Sequence, residues 1–118
     1  MLLNRTSQQT IVLSKTNNLG DVIIALPMAS AIKAVAPKVT IIFICSNAFV
    51  DLVNHYRDID QVVSVDNFID GNESQAIEQI KALHADVFIQ IDPNEKIIRL
   101  AKQAKVPIRI SSAYRKYE

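Results

Sequence analysis

The chain reads as five short apolar runs separated by longer stretches in which apolar residues recur at helical spacing. The β-prone runs fall at Thr10–Ser14, Val39–Cys45, Gln61–Val65, Asp86–Ile91 and Ile108–Ile110, and predict strands there. Thr40, Ile41, Ile42, Phe43 and Ile44 are almost all apolar instead of alternating. That pattern suits a strand covered on both faces, as in a parallel sheet. Helices are expected at 21–36, 47–56, 73–84 and 94–104. Strand–helix alternation of this kind predicts an α/β protein: a Rossmann-like, doubly wound parallel sheet with right-handed crossovers.

Local signals sharpen several boundaries. Asn72, Glu73 and Ser74 can open the third helix, with Ile77, Ile80 and Leu83 or His84 spaced along one face. Pro93 follows Asp92 and ends the fourth strand, and Asn94 is a fitting cap for the helix after it. In that helix Ile97, Ile98, Leu100, Ala101 and Ala104 form the expected buried stripe. Pro107 stands just before the last strand, where a missing N–H does little harm. Pro27 lies inside the first helical pattern, and is expected to kink that helix or mark a restart.

At 118 residues the chain is expected to be a single domain, with 49% hydrophobic and 21% charged residues, an ordinary globular balance. No apolar run approaches the roughly 18 residues that suggest a membrane span. The first residues lack the apolar core and small-residue cleavage site of a signal peptide. Cys45 is the one cysteine and cannot form an internal disulfide, so a cytoplasmic location is expected. The formal charge of +1 is unevenly spread: residues 51–95 hold ten acids against Arg57 and Lys81, whereas Lys96 to Lys116 contains seven bases and no acid. A basic stretch of this kind either attracts a phosphate-bearing partner or forms a solvated helix face. Without interleaved aromatics or a nucleic-acid motif, DNA or RNA binding is not expected.

The chemistry is expected at residues 15–21, Lys-Thr-Asn-Asn-Leu-Gly-Asp, between the first strand and the first helix. In open α/β sheets ligands bind outside the carboxyl ends of the strands, where this turn belongs. With only Gly20 and Gly71 in the chain, a three-glycine dinucleotide fingerprint is excluded, and no Gly-Lys-Ser/Thr phosphate loop occurs. His55 and His84 lie far apart on expected helices, which gives neither a metal site nor a catalytic triad. Cys45 reads as a small buried residue. Asp21 has two readings. An acid in a helix's first turn complements the positive end of the helix dipole; a carboxylate at the sheet's carboxyl edge can also take a proton from a substrate hydroxyl. Gly20 lets the backbone approach a ligand or take a positive φ. Lys15 either holds an anion or faces solvent.

The stretch from Lys15 through Gly20-Asp21 to Pro27 resembles the opening of glycosyltransferase family 9, the lipopolysaccharide heptosyltransferases. Members typically show Lys/Arg-x-Ser-Ser-x-Gly-Asp followed by a proline six residues on. Asp58 and Asp60 before Val62–Asp66, the run from Asp86 to Lys96, and Val106-Pro107-Ile108-Arg109-Ile110 are similar to later segments of that family, so the likeness extends from about residue 10 to residue 112. Asn17-Asn18 stands where the family has its serine pair, and Gln90, Asp92, Pro93 and Ser111 also depart from its usual residues. The resemblance implies the N-terminal, acceptor-side half of a GT-B enzyme, with the nucleotide-sugar domain outside these residues and the 118 residues inactive by themselves. It implies transfer of heptose from ADP-heptose to the lipopolysaccharide core, with inversion, no metal and no cofactor in this domain, at the cytoplasmic face of the inner membrane. Asp21 would be the general base and Gly20 would shape the turn. Asn17 and Asn18 would supply hydrogen bonds to the acceptor. Lys15, Lys96 and Arg109 would contact its acidic sugars or phosphates. The competing readings are a non-enzymatic flavodoxin-like or receiver-like module and a fragment of a nucleoside-diphosphate-sugar epimerase. Lys15 after the first strand, the poor phosphate loop at Thr16-Asn17-Asn18 and the scarcity of glycine argue against them.

Overall fold

The computed structural model describes residues 8–16, 19–69 and 72–111. Five strands, β1 (Thr10–Ser14), β2 (Thr40–Cys45), β3 (Gln61–Ser64), β4 (Val87–Gln90) and β5 (Ile108–Ser111), form one sheet in the order β3-β2-β1-β4-β5. Every pairing is parallel. The expected strands are all present, each bound within a residue or so of its apolar run.

The helices are α1 (Leu19–Val35), α2 (Val50–Asn54, led by a 3₁₀ turn at Asn47–Phe49), α3 (Asp66–Ile69), α4 (Glu73–Ala82) and α5 (Glu95–Gln103). Alternate strand residues feed two cores. Ile11, Leu13, Ile41, Phe43, Cys45 and Val87 pack against α1 and α2 through Val22, Ala25, Ala29 and Val53. Val12, Ile42, Ile44 and Phe88 pack on the other face against Phe68 of α3, Ala76 and Ile80 of α4, and Ile97, Leu100 and Ala101 of α5. Both faces are covered, which is why the central strands are apolar at nearly every position. The sheet is therefore doubly wound, as expected.

Three expectations need adjustment. The helix expected at 47–56 begins as a 3₁₀ turn, and its α-helical part is only Val50–Asn54. The four-residue α3 has no counterpart among the expected helices; it is too short for a periodic signal and is anchored by Phe68. Helix α1 does not restart at Pro27, which lies inside one continuous helix. The outer face of α1 is apolar too, with Ile23, Ile24 and Val35 exposed.

The helix ends follow from sequence. Asn72 and Asn94 cap α4 and α5: their side-chain oxygens accept the amides of Gln75 at 2.8 Å and Ile97 at 3.2 Å. After α4 and α5 the chain turns through left-handed residues, His84 at φ 53° and Lys105 at φ 61°, positions that helix ends usually give to glycine.

Two aspartates fix strand register at the sheet's amino edge. Asp60 donates its amide to Ile41 O at 2.9 Å and accepts the Ile41 amide on its own carboxylate at 2.8 Å. Asp86 does the same to Thr10, amide to carbonyl at 2.8 Å and carboxylate from amide at 2.8 Å. Each stands one residue before its strand and satisfies both backbone groups of a neighbour whose partner strand has not yet begun.

Candidate functional site

The strand order reverses around β1: β2 follows on one side, while β4 reaches the other only after β3 and two helices. A crevice outside the carboxyl ends of the strands at such a reversal is the expected ligand position. The segments that meet there are Lys15 and Thr16 after β1 and residues 91–94 after β4.

These segments are bound together by side chains. Asp92 is only 4% exposed. Its Oδ1 accepts from the Thr16 amide at 3.0 Å and from Gln90 Nε2 at 2.8 Å, and its Oδ2 accepts from the Thr16 hydroxyl at 2.6 Å. Gln90 Nε2 also lies 2.9 Å from Asp92 O. The Thr16 hydroxyl oxygen accepts from Asn94 Nδ2 at 3.2 Å, and Asn94 in turn caps α5. Burying a carboxylate is costly without such donors, and charge-assisted bonds of this length are the strong ones. Beneath the network the register pair Ser14 and Gln90 is fully buried. Ser14 Oγ and Gln90 Oε1 make no hydrogen bond to described residues.

The sequence-derived candidates divide as follows. Gly20 and Asp21 occupy the second and third positions of α1, in its first turn, with their backbone at the carboxyl edge. Asn17 and Asn18, and the side chain of Asp21, lie outside the described residues. Lys15 is buried beside β2, its amide donating to Ile44 O at 2.9 Å, so it is not the solvent-facing lysine that one reading allowed. Lys96, half-buried, is the second residue of α5 and stands at the same edge. Arg109 does not join them. It is the second residue of exposed-edge strand β5, and its Nη1 turns back to donate to Val106 O at 2.7 Å, while the strand's carboxyl end is Ser111.

Thr16, Gln90 and Asp92 carry no assigned role in the sequence reading. Their signal was weak: polar residues closing two apolar strands, which only adjacency in the sheet makes meaningful. Cys45 is buried as expected, and burial pushes its thiol up to about 11, which leaves it protonated and inert. His55 and His84 are both exposed and lie on different elements. A shallow depression lined by Ser74, Gln75, Glu78 and Gln79 lies along α4 and includes none of these residues. Among the described residues no helix is long and apolar enough to cross a membrane.

An all-parallel sheet in this order, with helices on both faces and polar turns gathered at the reversal, defines a Rossmann-like α/β domain. Among solved structures it is similar to a glycosyl transferase family 9 protein from Veillonella parvula, with a TM-score of 0.74 and 24% identity over 87% of this chain and 32% of that one. It is also similar to the ADP-heptose lipopolysaccharide heptosyltransferase II of E. coli, with a TM-score of 0.73 and 13% identity over 87% of this chain and 30% of that one. The chain thus spans about a third of the length of each. No protein-family model and no curated protein matches the sequence. The chain accordingly shares its Rossmann-like α/β fold with part of these two structures, the fold the strand–helix pattern predicted.

Proposed function

We propose that this chain is the N-terminal, acceptor-side domain of an inverting GT-B glycosyltransferase that transfers heptose from ADP-heptose to a lipopolysaccharide core. The observation that carries the reading is a coincidence of two lines. The motif from Lys15 to Pro27 runs from the carboxyl end of β1 into α1, and the fold around it is shared with two glycosyltransferases.

The first turn of α1 presents amides that have no acceptor within the helix, and the positive end of a 17-residue helix dipole. Asp21 in that turn acts as general base, taking the proton of the acceptor hydroxyl. The freed oxygen attacks the anomeric carbon of the donor sugar as the bond to the nucleoside diphosphate breaks, and the configuration inverts in a single displacement. Lys96, in the first turn of α5, meets acidic or phosphorylated groups of the acceptor, and Lys15, buried after β1, adds positive charge behind them. Gly20 leaves room for the acceptor against the backbone. Donor binding belongs to residues outside this chain.

Titration of the isotope-labelled chain with lipopolysaccharide core oligosaccharide tests this. Amide shifts are expected at Ser14–Thr16, at the start of α1 and at residues 91–97, and the Asp21→Asn variant is expected to bind within about twofold, since the base acts on a hydroxyl already held. An absence of shifts at this edge, or binding of flavin mononucleotide there instead, would overturn the reading and favour the non-enzymatic module.

A further inference from the structure

Loops at a carboxyl edge are held only by the strands they leave, and strand pairing ends early here. Past the paired strands, among the described residues, Lys15 N donates to Ile44 O at 2.9 Å and Ile91 N to Ser14 O at 2.8 Å. Beyond them, among the described residues, the end of β1 and the turn into α5 are joined through the Asp92 carboxylate, the Thr16 amide and hydroxyl, and the Asn94 side chain. The geometry points to Thr16 and Asp92 as positioning residues, forming a latch that sets the pose of the turn after β1 and, through Asn94, couples it to the start of α5.

The donors and acceptors run in one sense along the latch. The Asn94 amide group donates to the Thr16 hydroxyl oxygen, that hydroxyl donates to Asp92 Oδ2, and the Thr16 amide and Gln90 Nε2 both donate to Oδ1. Each step is committed by its neighbour, because a carboxylate only accepts and Thr16 has a single hydroxyl proton. Asn94 spends its other end on the Ile97 amide, so the first turn of α5, which carries Lys96, is part of the same chain of bonds. Asp21 follows Thr16 by five positions. A turn left untied at Thr16 can displace the first turn of α1 by the fraction of an ångström that matters to a general base. Residues 16 and 92 act through the residues they hold and touch no reacting atom.

The proposal rests on the acceptor-site reading only for what the turn holds; the latch itself is read separately. Thr16→Val removes the hydroxyl and keeps the backbone bond to Asp92, Thr16→Ser restores the hydroxyl, and Asp92→Ala removes the hub. The core variant Val53→Ala, on α2 and remote from the crevice, matches the expected loss of melting temperature. Amide hydrogen exchange is followed at Ile23 and Ile24, whose i−4 acceptors Leu19 and Gly20 lie in the first turn of α1. Exchange there is expected to accelerate about tenfold more in Thr16→Val and Asp92→Ala than in Val53→Ala, and to return in Thr16→Ser. Affinity for the core oligosaccharide should fall about tenfold in the same two variants and stay unchanged in Val53→Ala. Equal exchange in the latch and core variants overturns the proposal. If the parent chain binds no oligosaccharide while the exchange pattern holds, the acceptor reading fails and the latch stands.

Discussion

Replacing Asp60 by alanine removes two interactions whose sizes differ, and the structure allows them to be separated. One is the bond from the Ile41 amide to the Asp60 carboxylate at 2.8 Å; Ile41 is fully buried, and its N–H faces β3 before that strand has begun. An N–H stranded there costs about 1–3 kcal/mol. The other is the ion pair with Lys33 Nζ at 2.8 Å, whose side chains are 22% and 39% exposed. A pair that wet contributes about 0.2–1 kcal/mol. Asp60→Ala is therefore expected to cost roughly 2–3 kcal/mol, Lys33→Met under about 1 kcal/mol, and Asp60→Asn, which keeps an acceptor for Ile41, close to the Lys33 value. Urea denaturation measures all three, with an unchanged slope marking a change in stability alone. Should Lys33→Met cost as much as Asp60→Ala, or Asp60→Asn prove as damaging as alanine, the amide is not what the carboxylate is there for.

Stability at high pH should follow Cys45. Its thiol is raised from 9.0 to about 11 in the fold, so the unfolded chain loses its proton first and stability falls between those values, by up to roughly 2–3 kcal/mol. Thermal melts of the parent across pH 8–11 should show this slope, and Cys45→Ala should lack it; equal slopes refute the burial argument. At the left-handed helix ends, His84→Gly and Lys105→Gly are each expected to stabilise by about 0.5–1 kcal/mol, since glycine takes that φ without a Cβ clash. A lowered melting temperature in either would show that the side chain contributes more than its backbone costs.

The scaffold was more legible than the site, for identifiable reasons. A strand buried on both faces must be apolar at nearly every position, so Thr40–Cys45 could be read without its neighbours. Asn72 and Asn94 were readable as caps because capping is a contact between residues three apart. The latch between Thr16 and Asp92 spans 76 residues and depends on β1 lying beside β4, which no local pattern encodes. Arg109 shows what a family-like segment leaves open: the likeness suggested a ligand contact, whereas the bond its guanidinium makes to Val106 O could not be read from the sequence. Pro27 illustrates how packing prevails over propensity: Val22, Ala25, Leu26 and Ala29 bury one side of α1 on both sides of the proline, and the helix continues through it.

The aspartate clasps have an evolutionary corollary. With strand alignment clasped at the end of the sheet remote from the crevice, the turns on the crevice side carry less of the task of keeping the strands from slipping. Such turns can lengthen, shorten or be exchanged between homologues while the framework keeps its shape. A domain built this way can vary the crevice residues outside the Thr16–Asp92 latch with the underlying layers left untouched.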